Sequence, residues 1–206
     1  LSTVQFDTDR DLWIGTMDNQ LLQLEHPTRQ WKSYNVIKAR CIAQKDAHTI
    51  AVCTVDGLVL INKQTGKQAH IFKSTDNKGE DFNAFIQSIA FIDDEQAWLG
   101  SDGGGLYLCN LQTLEKRAFS TEQRLPSNRV SALLIDHSKM LWITTDHGLA
   151  CLPPQPSMQI YNQNFEHVMS RFYNRSAAIL LADGRVALGS TTGVLIIKPH
   201  ISLTSY

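Results

Sequence analysis

The chain has 206 residues, 43% of them hydrophobic, and a formal net charge of -1, enough apolar material for a substantial core and outside the compositional range of disordered chains. Its 19 basic and 20 acidic residues form no run of like charge, which excludes an electrostatic footprint for nucleic acid or for an anionic membrane surface. No apolar stretch approaches the roughly 18 residues that span a bilayer, and Leu1 opens directly into strand-like sequence without a leader, so the chain reads as a piece of a longer polypeptide whose signal or anchor lies elsewhere.

Short apolar runs bounded by Asp, Asn, Ser and Gly succeed one another throughout, the pattern of strands joined by tight turns. The first group, residues 2–35, comprises STVQFD, LWIGT, QLLQLEH and QWKSYN. Its first turn, Asp7 to Asp11, has alternating carboxylates but neither the Gly nor the distal Glu of a calcium loop, so a hairpin turn is expected and no metal. The second group, residues 36–73, supplies VIKARCIAQ, TIAVCT, GLVLIN and QAHIF, and its Gly66-Lys67 pair lacks the spacing of a phosphate loop. A polar insertion, Ser74 to Asp81, reads as a surface loop.

The third group, residues 85–120, carries FIQSIAFI, AWLGS, GLYLCN and KRAFS; a strand rather than a helix comes after its three glycines, Gly103 to Gly105, which excludes a dinucleotide fingerprint. The fourth, residues 129–162, is a meander through Trp142 closed by SMQIYN after a proline-rich loop. The fifth, residues 172–206, has RSAAILLA, VALGS and VLIIKP, with ISLTSY as its own last strand or as the opening of a next module.

These groups are copies of one unit. Aligning LWIGT, IAVCT, AWLGS, LWITT and VALGS places Trp13, Ala51, Trp98, Trp142 and Ala187 at one register, with spacings of 38, 47, 44 and 45 residues. A strand-rich period of that size is the signature of propeller blades. Both faces of each second strand are apolar or small, as a sheet packed between two others requires, and the small residue two after the Trp position fits close approach of a neighbouring sheet. The expected fold is therefore all-β, a β-propeller of four-stranded antiparallel blades; a β-sandwich has no reason to repeat a Trp at this period.

Cys41, Cys53, Cys109 and Cys151 have no metal-ligand or redox-motif spacing. Superposing the second group on the fourth sets Cys41 opposite Cys53 on adjacent strands, a geometry compatible with a disulfide. The plainer reading is two small buried thiols.

The stretch LPSNRVSALLIDHSKMLWITTDHGLACL resembles the two-component regulator propeller repeat, whose pattern is LPSN, an apolar strand, Asp, a turn, LWIGT and Asp-Gly-Gly-Leu. The likeness covers five units, clear in the first, third and fourth and eroded in the second and fifth. DGRVALGSTTGVLIIKPHI is similar to the last blade of such propellers. The resemblance implies a periplasmic, ligand-sensing region of a bacterial transmembrane receptor whose output is a histidine kinase, often hybrid, or a GGDEF diguanylate cyclase, with the membrane engaged only through the rest of the chain. It also implies a seven-bladed ring, so that about two blades lie outside these residues, although five blades could close a ring by themselves. An open arc leaves an apolar sheet face bare at each end, which predicts a homodimer or aggregation.

In such a sensor a small molecule or glycan would contact loops at one rim. The turns between second and third strands place Asp18, Asn19, Asp56, Asp102, Asp146, His147 and Thr192 there, and the connections between blades add Asn128, Arg129, Arg171 and Asn174; each also has an ordinary role as a turn residue. No cofactor is implied. No nucleophile elbow, zinc motif or clustered histidine supports an enzyme. A protein-interaction scaffold is the first alternative and a propeller lyase or hydrolase the second.

Overall fold

The computed structural model describes residues 1–77, 82–154, 159–161 and 173–199. Among these residues eighteen strands form five antiparallel sheets, each a simple meander in chain order. Blade 1 contains β1 (Thr3–Phe6), β2 (Leu12–Gly15), β3 (Gln20–Leu24) and β4 (Trp31–Asn35). Blade 2 contains β5 (Cys41–Gln44), β6 (Thr49–Thr54), β7 (Gly57–Asn62) and β8 (Gln68–Ile71); blade 3 contains β9 (Ile86–Phe91), β10 (Gln96–Ser101), β11 (Leu106–Asn110) and β12 (Lys116–Phe119). Blade 4 has β13 (Val130–Ile135), β14 (Leu141–Thr145) and β15 (Gly148–Leu152), and blade 5 has β16 (Tyr173–Leu180), β17 (Val186–Ser190) and β18 (Gly193–Ile197).

In blade 4 Tyr161 takes the fourth-strand slot through a two-bond bridge to Cys151, with N···O distances of 2.8 and 2.9 Å. The ISLTSY segment lies outside the described residues. The polar insertion begins with a 3-10 turn, Ser74–Asn77, where a plain loop was expected, because Asp56 accepts both the Ser74 amide and hydroxyl at 2.8 Å and ties its start to blade 2.

The repeated Thr or Ser that ends each second strand closes the next turn. The hydroxyls of Thr16, Thr54, Ser101, Thr145 and Ser190 donate to the carbonyls of Gln20, Gly57, Gly105, Gly148 and Gly193, at 2.8 to 3.1 Å. Each also accepts an amide from inside the turn, Asp56 on Thr54 at 3.0 Å for example. A side chain thus satisfies backbone groups that the ladder leaves unpaired at the bend.

Four apolar layers separate the five blades. The Trp-register face of each blade packs on the next blade in the chain: Trp13 with Ile42, Val52 and Ile61 of blade 2, Trp98 with Leu133, Ile143 and Leu152 of blade 4, and Trp142 with Val186 and Leu188 of blade 5. Glycine two residues after Trp permits this approach. A Cβ on Gly15 would sit 2.9 Å from Ala39 Cβ, and one on Gly100 2.5 Å from Val130 Cγ1.

The two end faces are uncovered. The cross-strand pairs of blade 1 place Val4, Phe6, Leu12, Ile14, Leu22, Leu24 and Trp31 together on the face opposite Trp13, where Phe6 is 63% and Trp31 57% exposed. On blade 5 the face shared with Ala187 holds Ile179, Val194 and Ile196, with Val194 67% exposed. A monomer does not ordinarily leave such faces in water.

Candidate ligand site

Turns between second and third strands share one rim with the connections between blades, and hydrogen bonds join the two sets. The Val36 amide donates to the Asn19 carbonyl at 3.1 Å, the Gly57 amide to the Ala84 carbonyl at 2.6 Å, and the Gly103 and Gly105 amides to the Asn128 carbonyl at 3.0 and 2.8 Å. The structure concentrates the rim residues between blades 3 and 4. Asp102 and Arg129 form a backbone bridge, with Arg129 Nε 3.5 Å from Asp102 Oδ1. Asn128 Oδ1 accepts the Thr121 amide at 2.9 Å, and His147 Nδ1 lies 3.0 Å from Asp146 Oδ1. Burial alone would raise the Asp146 carboxyl, but hydrogen bonds from His147 and Ser127 outweigh it and lower the pKa.

Asp18 and Asn19 stand apart at the turn of blade 1; the Asp18 amide donates to Thr16 Oγ1 at 3.3 Å, and Asn19 adopts a positive φ of 58°. Thr192 is in the exposed turn of blade 5, its amide on Ser190 Oγ. Arg171 and the side chain of Asn174 lie outside the described residues. Asn128 and Asp56 spend their side-chain acceptors on turn and loop groups, which is the bonding of structural residues.

What the rim surrounds was not anticipated. A channel of about 570 Å³ runs between the innermost strands β1, β5, β9, β13 and β16, a volume suited to a small organic molecule. Its wall includes Ser2, Arg40, Cys41, Ser88, Arg175 and Ser176. Arg40 enters from the connection that precedes β5, and its guanidinium lies 5.0 Å from the centroid of Phe85. Burial lowers the Arg40 pKa and the charge of Arg175 lowers it further, against a partial offset from Asp102. A repeat alignment carried into the first strands sets Arg40, 11 residues before Ala51, level with Ser176, 11 before Ala187 and next to Arg175. No sequence motif marks them.

Cys41 and Cys53 are direct cross-strand partners, as superposition of the hairpins implied, and both thiols are free. The Cys53 thiol, hydrogen-bonded to Cys41, holds the Cys41 thiol down at about 7. Burial pushes the Cys53 thiol well up, and the others to about 12 at Cys109 and about 11 at Cys151. Near Asp7 the alternating carboxylates are consumed internally. Asp7 accepts the amides of Asp9 and Asp11, the Trp13 indole and the Lys63 ammonium; Asp11 accepts Gln23 Nε2 at 2.6 Å and the His26 amide at 2.7 Å.

Strand order, blade stacking and a central channel define a β-propeller of five blades. No protein-family model and no curated protein sequence matches the chain. Among solved structures the fold is similar to the extracellular domain of BT3049 from B. thetaiotaomicron, described as a hybrid two component system, at 16% identity and a TM-score of 0.73, over 98% of this chain and 34% of that one. The corresponding domain of BT4673 from the same organism matches at 18% identity and a TM-score of 0.72, over 96% of this chain and 26% of that one. A streptogramin B lyase matches at 14% identity and a TM-score of 0.68, over 93% of this chain and 62% of that one. At these identities the likeness is one of fold, and the chain spans only about a third to a quarter of the length of the two sensor domains.

Proposed function

We propose that these five blades are the ligand-sensing part of a bacterial transmembrane signal-transduction protein, held outside the cytoplasm in the periplasm and coupled to a histidine kinase or GGDEF-type output. The observation that carries this reading is the match of nearly the whole chain to extracellular domains of hybrid two component systems. Those domains are longer than this chain, and the bare faces of blades 1 and 5 support a larger ring in which further blades cover both. A second copy of the chain, pairing as a homodimer, is the other occupant of matching chemistry.

The similar lyase raises a catalytic reading, but the described wall of the channel carries neither a carboxylate nor a histidine, and nothing there offers an acid and base pair. The test is the sequence on either side of these residues, together with protease protection of the protein in intact cells. A membrane span leading to a kinase or cyclase domain, with the blades digested only after the outer envelope is opened, is the expected result. A gene product with no span and no output domain would abandon sensing and leave an interaction scaffold.

A further inference from the structure

We propose that the channel is a binding site for an oxyanion: a carboxylate, sulfate or phosphate group carried by a small molecule. Arg40 and Arg175 both lie in the wall, and the described wall residues include no acidic side chain to balance them. Asp102, the acid whose charge acts on Arg40, is already 3.5 Å from Arg129 Nε.

A second observation points the same way. Among the described residues, Arg40 Nε is a buried donor without a hydrogen bond, as are the Ser2 and Ser88 hydroxyls. All three residues contribute to this wall, but the two hydroxyls lie against Gly15 and Gly100 in the layers between blades, so the unpaired donor that bears on the channel is Arg40 Nε.

Buried donors without acceptors are rare in folded proteins, and an acceptor-only group satisfies a guanidinium. Contact of the Arg40 guanidinium with the Phe85 ring restrains it in advance, which lowers the ordering cost of an anion contact. Burial and the neighbouring Arg175 make the Arg40 charge costly; a bound anion relieves that cost, while a neutral ligand does not. The inference rests on the reading of these blades as a sensing domain and supplies the chemical class of what it senses.

The test is isothermal titration of the protein with sodium sulfate, sodium phosphate, glucuronate and, as the neutral comparison, glucose. The three anions bind, their ranking identifies the preferred group, and added sodium chloride weakens all three. Arg40→Gln and Arg175→Gln each reduce affinity by about tenfold or more, the usual scale for losing a charge-assisted hydrogen bond. Arg185→Gln, an exposed residue paired with Asp183 at 2.7 Å, leaves it unchanged.

Circular dichroism confirms the fold of each variant, and the exposed Arg175 carries the test if Arg40→Gln does not fold. The proposal is overturned if the anions bind no tighter than glucose, or if Arg175→Gln binds as the parent does. Glucose binding without anion preference removes the oxyanion site and leaves the sensing reading standing. Anion binding that leaves the output of the full-length protein unchanged does the reverse.

Discussion

Asp136 Oδ2 accepts the indole N–H of Trp142 at 2.8 Å, and Asp7 Oδ2 accepts that of Trp13 at 3.0 Å. In each case a carboxylate six residues upstream in the first turn of the blade satisfies the one polar atom of a buried tryptophan. The same Asp136 side chain takes the amides of Ser138 and Met140 through Oδ1, so one carboxylate fixes both the turn and the ring. Trp98 has Ile92 at that position and packs edge-on against Phe119 instead.

The tryptophans should therefore respond differently to loss of the indole N–H. Trp142→Phe leaves Asp136 with an unmet buried acceptor and is expected to cost about 1–3 kcal/mol beyond the packing loss. Trp98→Phe bears the packing loss alone. Urea unfolding of both variants measures the difference, and equal destabilisation would remove the hydrogen bond from the account.

Lys63 of blade 2 reaches across to blade 1, 2.9 Å from Asp7 and also paired with Asp9. Lys63→Met strands the buried Asp7 carboxylate and is expected to destabilise by about 3–5 kcal/mol, while the double variant with Asp7→Asn recovers part of the loss. Burial would raise the Asp7 pKa, but bonds from Lys63, Trp13 and the Asp11 amide outweigh it, and the pKa is lowered. The carboxylate is thus held more strongly ionised in the folded state. Its contribution is present above the unfolded value of about 4 and is lost as pH falls through the lower folded value. Acid titration of stability should be steeper for the parent than for Asp7→Asn.

Among the four thiols, Cys41 alone is lowered, to about 7, and it lines the channel. It is expected to alkylate first at neutral pH, with Cys53, Cys109 and Cys151 protected by burial and raised pKa. Under oxidising conditions Cys41 and Cys53, already cross-strand partners, should couple to each other with the loss of two hydrogens. Peptide mass spectrometry reads both outcomes; equal labelling of all four thiols would contradict them.

The bare faces of blades 1 and 5 make a separate prediction. Phe6→Glu or Val194→Glu should disperse any self-association of this segment without unfolding it if a second copy covers the faces. If further blades of the same ring cover them, the same changes should lower the melting temperature of the full-length protein, because a charge is then buried unpaired. Sedimentation velocity on the segment and thermal unfolding of the full chain separate the two cases.

The repeat was legible in the residues alone, and the repeat dictates the blades. Tryptophan or alanine at one register and a small residue two positions later are local requirements, written where a strand must pack on both faces; the hydroxyl that closes each turn came with the structure. The opposition of Cys41 and Cys53 was legible for the same reason, since register within a hairpin is set by its turn. It took the folded chain to bring Arg40, Arg175, Ser2 and Ser88 into one channel wall, and to show which acids were already spent. Those residues come from four different blades, so their proximity depends on how far each sheet rotates about the common axis. A side chain's free hydrogen-bonding capacity is likewise a property of its neighbours across that axis, which no spacing along the chain records.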